Sequence, residues 1–414
     1  MSLMEKNNER DHRQIGKELG LFTFSDTVGK GLPLWTPKGT VLRRVLERFI
    51  VDEEIRRGYE HVTTPDIAKI DLYKKSGHYP YYKESMYSPI DIDDEQFMLR
   101  PMSCPHHFEL YLSEPRSYRE LPMRIAEMAK LYRYELSGVL SGLVRVRSFC
   151  LSDSHIICAD KGQAAAEIEG VLDLIDYFAG TFGLKKGEDY WYRLSLGDRN
   201  DSKKYYKDDE AWDAAEGVLR DTLRKRGEKF TEEKNEAAFY GPKIDVQMKD
   251  VRGLENTAFT VQYDFVMPKR FSLVYMDKDG KEKESIVIHR SAVGALERLI
   301  AFLIEKYNGA FPLWLSPVQA KVIPVAENHH EAAQAVYELL RKNDIRAEID
   351  LSNDGFGKKV RAAKVGLTPY FIIIGDKDIA AGKITLESRD KGTLGQLTRE
   401  EVVEKLHKET REKK

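Results

Sequence analysis

Residues 145–158, RVRSFCLSDSHIIC, put unlike chemistries at alternating positions. In an extended strand, successive side chains point to opposite faces. Arg145, Arg147, Phe149, Leu151, Asp153 and His155 then project one way, and Val144, Val146, Cys150 and Ile156 the other. The first face carries two cations, a stacking surface, a carboxylate and a metal-capable imidazole. A half-buried strand with a charged solvent face satisfies the same alternation, so this stretch alone leaves both readings open.

A second stretch, YRYE, sharpens the choice. Arg133 and Glu135 lie two apart, and the Gly/Ser loop LSGVLSG turns the chain back toward Arg145 and Phe149. An antiparallel pair with this parity gathers two arginines, a carboxylate and an aromatic ring on one surface. Guanidinium forks suit phosphate oxygens. A ring face suits a purine, and a glutamate accepts a hydrogen bond from an exocyclic amine. The pattern describes a nucleotide site built on an antiparallel sheet. Neither G-x-x-x-x-G-K-[ST] nor G-x-G-x-x-G occurs in the chain.

The elements that must hold these residues follow from hydrophobic periodicity. A long helix is expected from about Thr40, with Val41, Leu42, Val45, Leu46, Phe49 and Ile50 at helical spacing and Gly58 as its stop. YEHVTTPDI reads as a strand meeting Pro65. Residues 96–135 read as a strand, a Cys-Pro-His-His corner, a helix and a strand. GQAAAEIEGVLDLIDYFAGTFGL is an amphipathic helix. AFYGPKIDVQM, FTVQYDFVM, RFSLVYMD and ESIVIHR alternate like strands of one antiparallel sheet, and SAVGALERLIAFLIEKY is a helix launched from the last. After NGAFPLWLSPVQ, strands and helices alternate regularly. The expected fold class is therefore α/β: an α+β domain over residues 1–312 with an antiparallel sheet and flanking helices, then an α/β domain over residues 313–414 with a mixed sheet.

Composition excludes several classes. Of 414 residues, 42% are hydrophobic and 32% charged, which permits sizeable cores. No apolar run approaches the roughly 18 residues of a membrane span. A charged, polar arm over residues 1–22 argues against a secretory signal. Three cysteines, Cys104, Cys150 and Cys158, argue against a disulfide framework and for a reducing, cytoplasmic location. A net charge of −2 gives no global basic field, although basic residues confined to one face remain compatible with nucleic acid.

An R-x-E segment, a loop and R-x-R-x-F resemble motif 2 of the class II aminoacyl-tRNA synthetases. The long helix with YEHVTTPDI and Pro65 resembles motif 1, a dimer interface in that class. VIHRSAVGALERLI resembles motif 3, with Arg298 as its arginine. PMSCPHHFELY, LSDSHIIC, AFYGPKIDV, TVQYDF and VIHR are similar to the threonyl type in particular, from about residue 15 to the C-terminus. The resemblance implies a threonine–tRNA ligase that forms threonyl-adenylate from L-threonine and ATP, then charges tRNA(Thr). Arg133 would hold the α-phosphate, Glu135 the adenine amine and Arg145 the far phosphates, with Phe149 and Arg298 about the ring and Thr260 nearby. Cys104, His155 and His289 match zinc ligands, one ion per subunit, with a fourth position open to substrate. Asp153, Tyr240, Gln262 and Met102 would line the amino-acid pocket, and Lys243 would sit beside it. His78 matches a histidine near the terminal ribose, where an ordinary pKa of about 6.5 suits proton removal. Mg2+ would accompany ATP, and the enzyme would be a homodimer with no membrane partner. In the tail, Asn353, Asp378 and Arg389 would face the anticodon, and Lys358, Lys359, Arg361 and Lys364 would supply phosphate contacts.

Zinc has a rationale of its own. Threonine and valine are nearly isosteric, and an apolar pocket separates such pairs by only roughly 100-fold. A site that must bond a hydroxyl rejects valine far better; serine is harder to exclude. Spacing alone does not select this trio, since its members lie far apart in the chain. Cys104 with His107, or His155 with Cys158, are local alternatives, the second poor because its members point to opposite strand faces. Cys150 and Cys158 read as small core residues, and His106, His329 and His330 as surface or helix-start residues.

The pattern also departs from the family. Leu151 stands for a usual glutamine, Ser152 and Ser154 flank Asp153, Ala295 replaces a small hydroxyl residue, and Thr257 replaces a glutamine. Glu387 sits where a base-reading arginine is common. Motif 1 begins within about 35 residues of Met1, so no serine-editing domain is expected. Another class IIa synthetase, or a non-catalytic synthetase-like RNA-binding protein, are the competing readings. The metal trio argues against the first, and Arg133, Glu135 and Arg298 against the second.

Overall fold

The computed structural model describes residues 10–414; the start of the expected N-terminal arm, residues 1–9, lies outside the described residues. The chain forms two compact units, one of residues Phe24–Pro33 and Glu47–Ala301, the other of residues up to Thr23, Leu34–Leu46 and Phe302–Lys414.

The first unit is built on eight strands: β1 (Glu60–His61), β2 (Met123–Tyr132), β3 (Ser148–Cys158), β4 (Tyr190–Leu196), β5 (Phe230–Lys234), β6 (Lys243–Lys249), β7 (Glu255–Asp264) and β8 (Ile286–Ser291). Their spatial order is β5-β4-β6-β7-β8-β3-β2-β1. Every inner pairing is antiparallel, whereas the edge pairs β1–β2 and β4–β5 are parallel. One face is covered by helix Lys161–Thr181, which starts where the Asp160 carboxylate accepts the Gln163 N–H at 2.8 Å. It buries Ile168, Val171, Leu172, Ile175 and Phe178. Phe49 of the long helix Pro37–Arg56 meets Phe178 edge-on, with ring centroids 5.6 Å apart.

Two glycines let the strands and loops approach closely. A Cβ at Gly241, just before β6, would lie 1.8 Å from the Tyr263 carbonyl oxygen. Gly294 has φ +65°, and its Cβ would lie 1.9 Å from the Ala258 carbonyl oxygen. Gly294 thus turns β8 into helix Leu296–Lys306 beneath a neighbouring strand.

Some segments depart from the pattern-based expectation. RFSLVYMD does not join the main sheet: Met267–Phe271 is helical, and Val274–Met276 pairs with Glu282–Glu284 in a separate hairpin. β3 starts at Ser148, so Arg145 and Arg147 precede it. β4 and β5, with helix Asp209–Lys225, complete the unit. Among the described residues no helix is long and apolar enough to cross a membrane.

The second unit holds a five-stranded mixed sheet, with Ala320–Pro324 between Ala347–Ile349 and Tyr370–Ile374 in parallel, then Ile384–Ser388 and Gly392–Leu397 antiparallel. Helices His330–Lys342 and Arg399–Arg411 bury Val336, Leu340, Val402 and Leu406 against Val322, Ile372 and Leu386.

Beneath the main sheet lies a buried ion pair. Arg290, fully buried, donates to Glu54 at 2.5 Å and lies 4.1 Å over the Tyr59 ring. Glu54 also accepts from the Ser152 hydroxyl at 2.9 Å and bonds His61 at 2.8 Å. Although burial opposes ionisation, these partners hold the Glu54 carboxyl below its usual range. Removing one member of such a pair leaves an uncompensated buried charge. Glu54→Ala is expected to lower unfolding free energy by about 3–5 kcal/mol, measured by urea denaturation; an unchanged midpoint would refute it.

Candidate active site

Antiparallel register does what sequence distance hides. Lys243 pairs with Gln262, Gln262 with His289, and His289 with His155, so one rung crosses β6, β7, β8 and β3. All four side chains line one cavity of about 620 Å³. Alternation along β3 adds Phe149, Leu151 and Asp153 to its wall. Cys104, at the start of helix Cys104–Leu112, completes a buried trio with His155 and His289, whose ligand atoms all lie within 4.8 Å of one another.

The trio fits a metal ion. His155 shares its Nδ1 with His107 Nδ1 at 2.7 Å, and His289 shares its Nε2 with Asp264 at 2.6 Å. Each imidazole keeps its other nitrogen. Burial first, then the neighbouring His289 and His107, holds His155 neutral, as a ligand must be. Burial, with the Asp153 and Asp264 carboxylates nearby, pushes the Cys104 thiol up. A dication here would reverse that cost.

The side of the cavity around the trio is tightly bonded. Ser103 donates its hydroxyl to Asp153, and burial raises the Asp153 carboxyl. Tyr240 donates to Gln262 at 2.6 Å and stacks on His289, centroids 4.9 Å apart. Lys243 lies 2.9 Å from the buried Asp245, which also accepts from Thr260 at 3.1 Å. Met102 and His78 lie on the same wall. His78 bonds Ser76 at 2.7 Å and is 1% exposed; burial, with positive neighbours, pushes its pKa down to about 3. That corrects the ordinary value expected from sequence.

The opposite side gathers the cations. Arg133, Glu135, Arg145 and Arg298 all line the cavity. The Arg133 guanidinium lies 5.1 Å over the Phe149 ring. Arg298 donates to the carbonyls of Val144 at 3.0 Å and Thr257 at 2.5 Å, and its pKa is pushed down to about 10 by burial and by Arg133 and Arg145. Arg147 leaves the face that alternation assigned it. It precedes the regular strand and clamps the loop, donating to the Glu135 carbonyl at 2.9 and 2.8 Å.

In the second unit, Asn353 is exposed. Asp378 is buried and accepts from the Gly375 N–H, Thr385 and Gln396 at 3.0, 2.6 and 3.0 Å. Arg389 donates to the carbonyls of Phe311 and Leu367 at 3.1 and 2.9 Å. Lys359, expected at the surface, is buried and donates to the Asp350 carbonyl, while Lys364 pairs with Glu387 at 3.1 Å. Lys358 and Arg361 are exposed.

Sequence reasoning missed several residues. His107 was weighed only as a local partner of Cys104; its i+3 spacing on a helix was the available signal. Asp264, bonded to His289, and Glu127, bonded to His107 and held by Arg100 and Thr64, have no local pattern to mark them. His106 and His329, expected at the surface or at helix starts, lie at helix starts and are buried, and His329 bonds Asp376 at 2.9 Å.

Comparison with known proteins agrees with this geometry. The family model for the tRNA synthetase class II core domain (G, H, P, S and T) matches residues 83–307, and that for the anticodon binding domain matches residues 319–409. The chain is 46% identical over 399 residues to the threonine–tRNA ligase of Geobacillus kaustophilus, covering 95% of this chain and 61% of that protein. It is 45% identical over 406 residues to threonine–tRNA ligase 1 of Bacillus subtilis, covering 98% and 62%. The chain thus spans about three fifths of the curated relatives it matches. A solved structure, the RNA binding domain of threonyl-tRNA synthetase from Cryptosporidium parvum, superposes with a TM-score of 0.90 at 35% identity, covering 96% of this chain and 98% of that one. The chain belongs to the class II tRNA synthetases and, within them, to the threonyl-tRNA synthetase family.

Proposed function

We propose that this chain is a threonine–tRNA ligase, with a catalytic domain over residues 1–312 and an anticodon-binding domain over residues 313–414. It converts L-threonine and ATP to threonyl-adenylate and pyrophosphate, then transfers the acyl group to the terminal ribose of tRNA(Thr). The observation that carries this reading is the Lys243–Gln262–His289–His155 rung, whose side chains share one cavity with Arg133, Glu135, Arg145 and Arg298.

Arg133 neutralises charge developing at the attacked α-phosphorus. Glu135 accepts from the adenine amine, Arg145 takes the far phosphates with Mg2+, and Phe149 and Arg298 hold the ring. Asp153 accepts from the substrate's amino group, and Tyr240, Gln262 and Met102 shape the pocket. Lys243 adds a cation close to the forming mixed anhydride, and Thr260 lines the wall near it. Cys104, His155 and His289 hold one Zn2+, which supplies an electrophilic position for the substrate's amino and hydroxyl groups. Asn353, Asp378 and Arg389 belong to the anticodon-binding domain, Asn353 as a surface contact and the other two by shaping its backbone.

The protein acts in the cytoplasm as a homodimer. Supporting the dimer, the small sheet formed by Ile67–Lys69, Glu95–Leu99 and Ile90–Ile92 turns Ile67, Ile90 and Ile92 outward on the same face as Phe97 and Leu99. Ile67 is the last residue of the motif 1 segment YEHVTTPDI.

Two outcomes are expected. In ATP–pyrophosphate exchange, threonine supports strong exchange, serine weaker exchange, and valine and proline none; no exchange with any of them, given zinc and magnesium, would sink the reading. In single-turnover transfer, His78 is proton-free throughout about pH 5 to about pH 8, because its pKa lies at about 3. The transfer rate then shows no inflection near an ordinary histidine pKa. An inflection near pH 6.5 that vanishes in His78→Ala would contradict the buried, neutral imidazole.

A further inference from the structure

His107 is fully buried between Glu127 and His155, and nothing in the proposed reaction uses it. Its Nε2 lies 3.1 Å from a Glu127 oxygen, and its Nδ1 lies 2.7 Å from His155 Nδ1. The two rings are edge-on, with centroids 4.8 Å apart. Which nitrogen carries each proton follows from the groups around Glu127.

Arg100 donates to the Thr64 hydroxyl at 2.5 Å, so that hydroxyl must send its own proton onward. It donates to Glu127 at 2.8 Å. The Thr64 N–H donates to Glu127 at 3.0 Å, and Arg100 donates at 3.1 Å. Surrounded by donors alone, Glu127 is an acceptor. His107 must therefore present N–H from Nε2. A neutral imidazole has one N–H, so its Nδ1 is an acceptor. His155 must then carry its proton on Nδ1, and its lone pair lies on Nε2, the nitrogen left for the metal.

His289 reaches the same condition by a shorter route. Asp264 accepts the Val266 and Met267 N–H groups at 2.8 and 2.9 Å, so it too is an acceptor, and it takes the Nε2 proton of His289. One ligand is set directly by a carboxylate, and the other through an intervening histidine. We propose that His107 is a positioning residue that relays the Glu127 carboxylate across two hydrogen bonds, fixing His155 as an Nε2 metal donor. This rests on the zinc reading of Cys104, His155 and His289. Such outer partners of a ligating histidine change metal affinity by about 10- to 100-fold when lost.

Glu127→Gln probes the relay at nearly constant shape. Its amide NH2 cannot face the Thr64 N–H and Arg100 without opposing donors. Turned toward His107, the NH2 makes Nε2 an acceptor and reverses both protons, leaving His155 Nε2 protonated. Zinc dissociation constants would be measured by competition with a chelator of known affinity, with circular dichroism and melting curves to verify folding. Glu127→Gln and His107→Leu are expected to bind zinc about 10- to 100-fold more weakly. His107→Asn, whose carboxamide oxygen can accept from His155, should fall closer to the unsubstituted protein than His107→Leu does. If Glu127→Gln does not fold, the His107→Leu and His107→Asn pair decides. Folded variants that all keep the unsubstituted affinity would overturn the relay while leaving the zinc site standing. Absence of zinc binding by the unsubstituted protein would overturn the zinc reading and the relay together.

Discussion

The hydrogen-bond register between four antiparallel strands is the constraint on which the rest depends. Side chains alternate with a period of two, so a slip of one residue in any pairing sends a whole set to the wrong face. Slipping β8 against β3 by one residue would exchange His289 for Arg290 or Ile288 on the cavity side. The fold resists that exchange from below as well as above. Arg290 is bound to the buried Glu54 under the sheet, and His289 is bound to Asp264. Adjacent residues on one strand are thus fixed by buried carboxylates on opposite faces, and both pairs would have to break for the register to move.

Much of this was legible in the sequence because it rests on alternation. Phe149, Leu151, Asp153 and His155 share the cavity wall as their spacing requires, and the alternating strands and helices of the tail form the mixed sheet expected of them. Where the expectation failed, a different force prevailed. Arg147 has the parity of its neighbours, yet the Glu135 carbonyl draws its guanidinium away. RFSLVYMD has strand-like composition, yet it leaves the sheet after a short helix. Spacing could not join Cys104, His155 and His289; only the resemblance did, and the rung supplies the physical reason for the two histidines, which Cys104 meets from the start of its helix.

The buried carboxylates mark the other limit of sequence reasoning. Glu127, Asp264, Asp245 and Glu54 sit in ordinary-looking strand or helix segments, and each becomes the acceptor for several donors, at least one of them from a distant element. Low exposure makes an unpaired charge or polar group costly, so these residues hold their neighbours in single orientations. Their signature is the set of partners, which exists only after folding. A histidine beside such a carboxylate has its tautomer chosen for it, a property no local pattern encodes.

The same strand also sets the spacing between the two chemistries of the proposed reaction. From Phe149 to His155 is six residues, about 20 Å of extended chain. Under the Arg133 guanidinium the Phe149 end has an apolar floor, with Ala129, Leu131 and Val146 packed around the ring and Leu151 and Ala295 beside it. The His155 end is polar, fully buried and rich in metal-capable groups. In the proposed reaction the planar base takes the first end and the small hydroxylated amino acid the second, so that the reacting phosphate falls between them. Leu151 and Ala295 meet on that middle wall. In the proposed reaction they extend the apolar floor toward the phosphate and leave its charge to Arg133 and Lys243. Affinity for the two ends is thereby separated from stabilisation of the middle, which the rigid sheet holds at fixed reach from both.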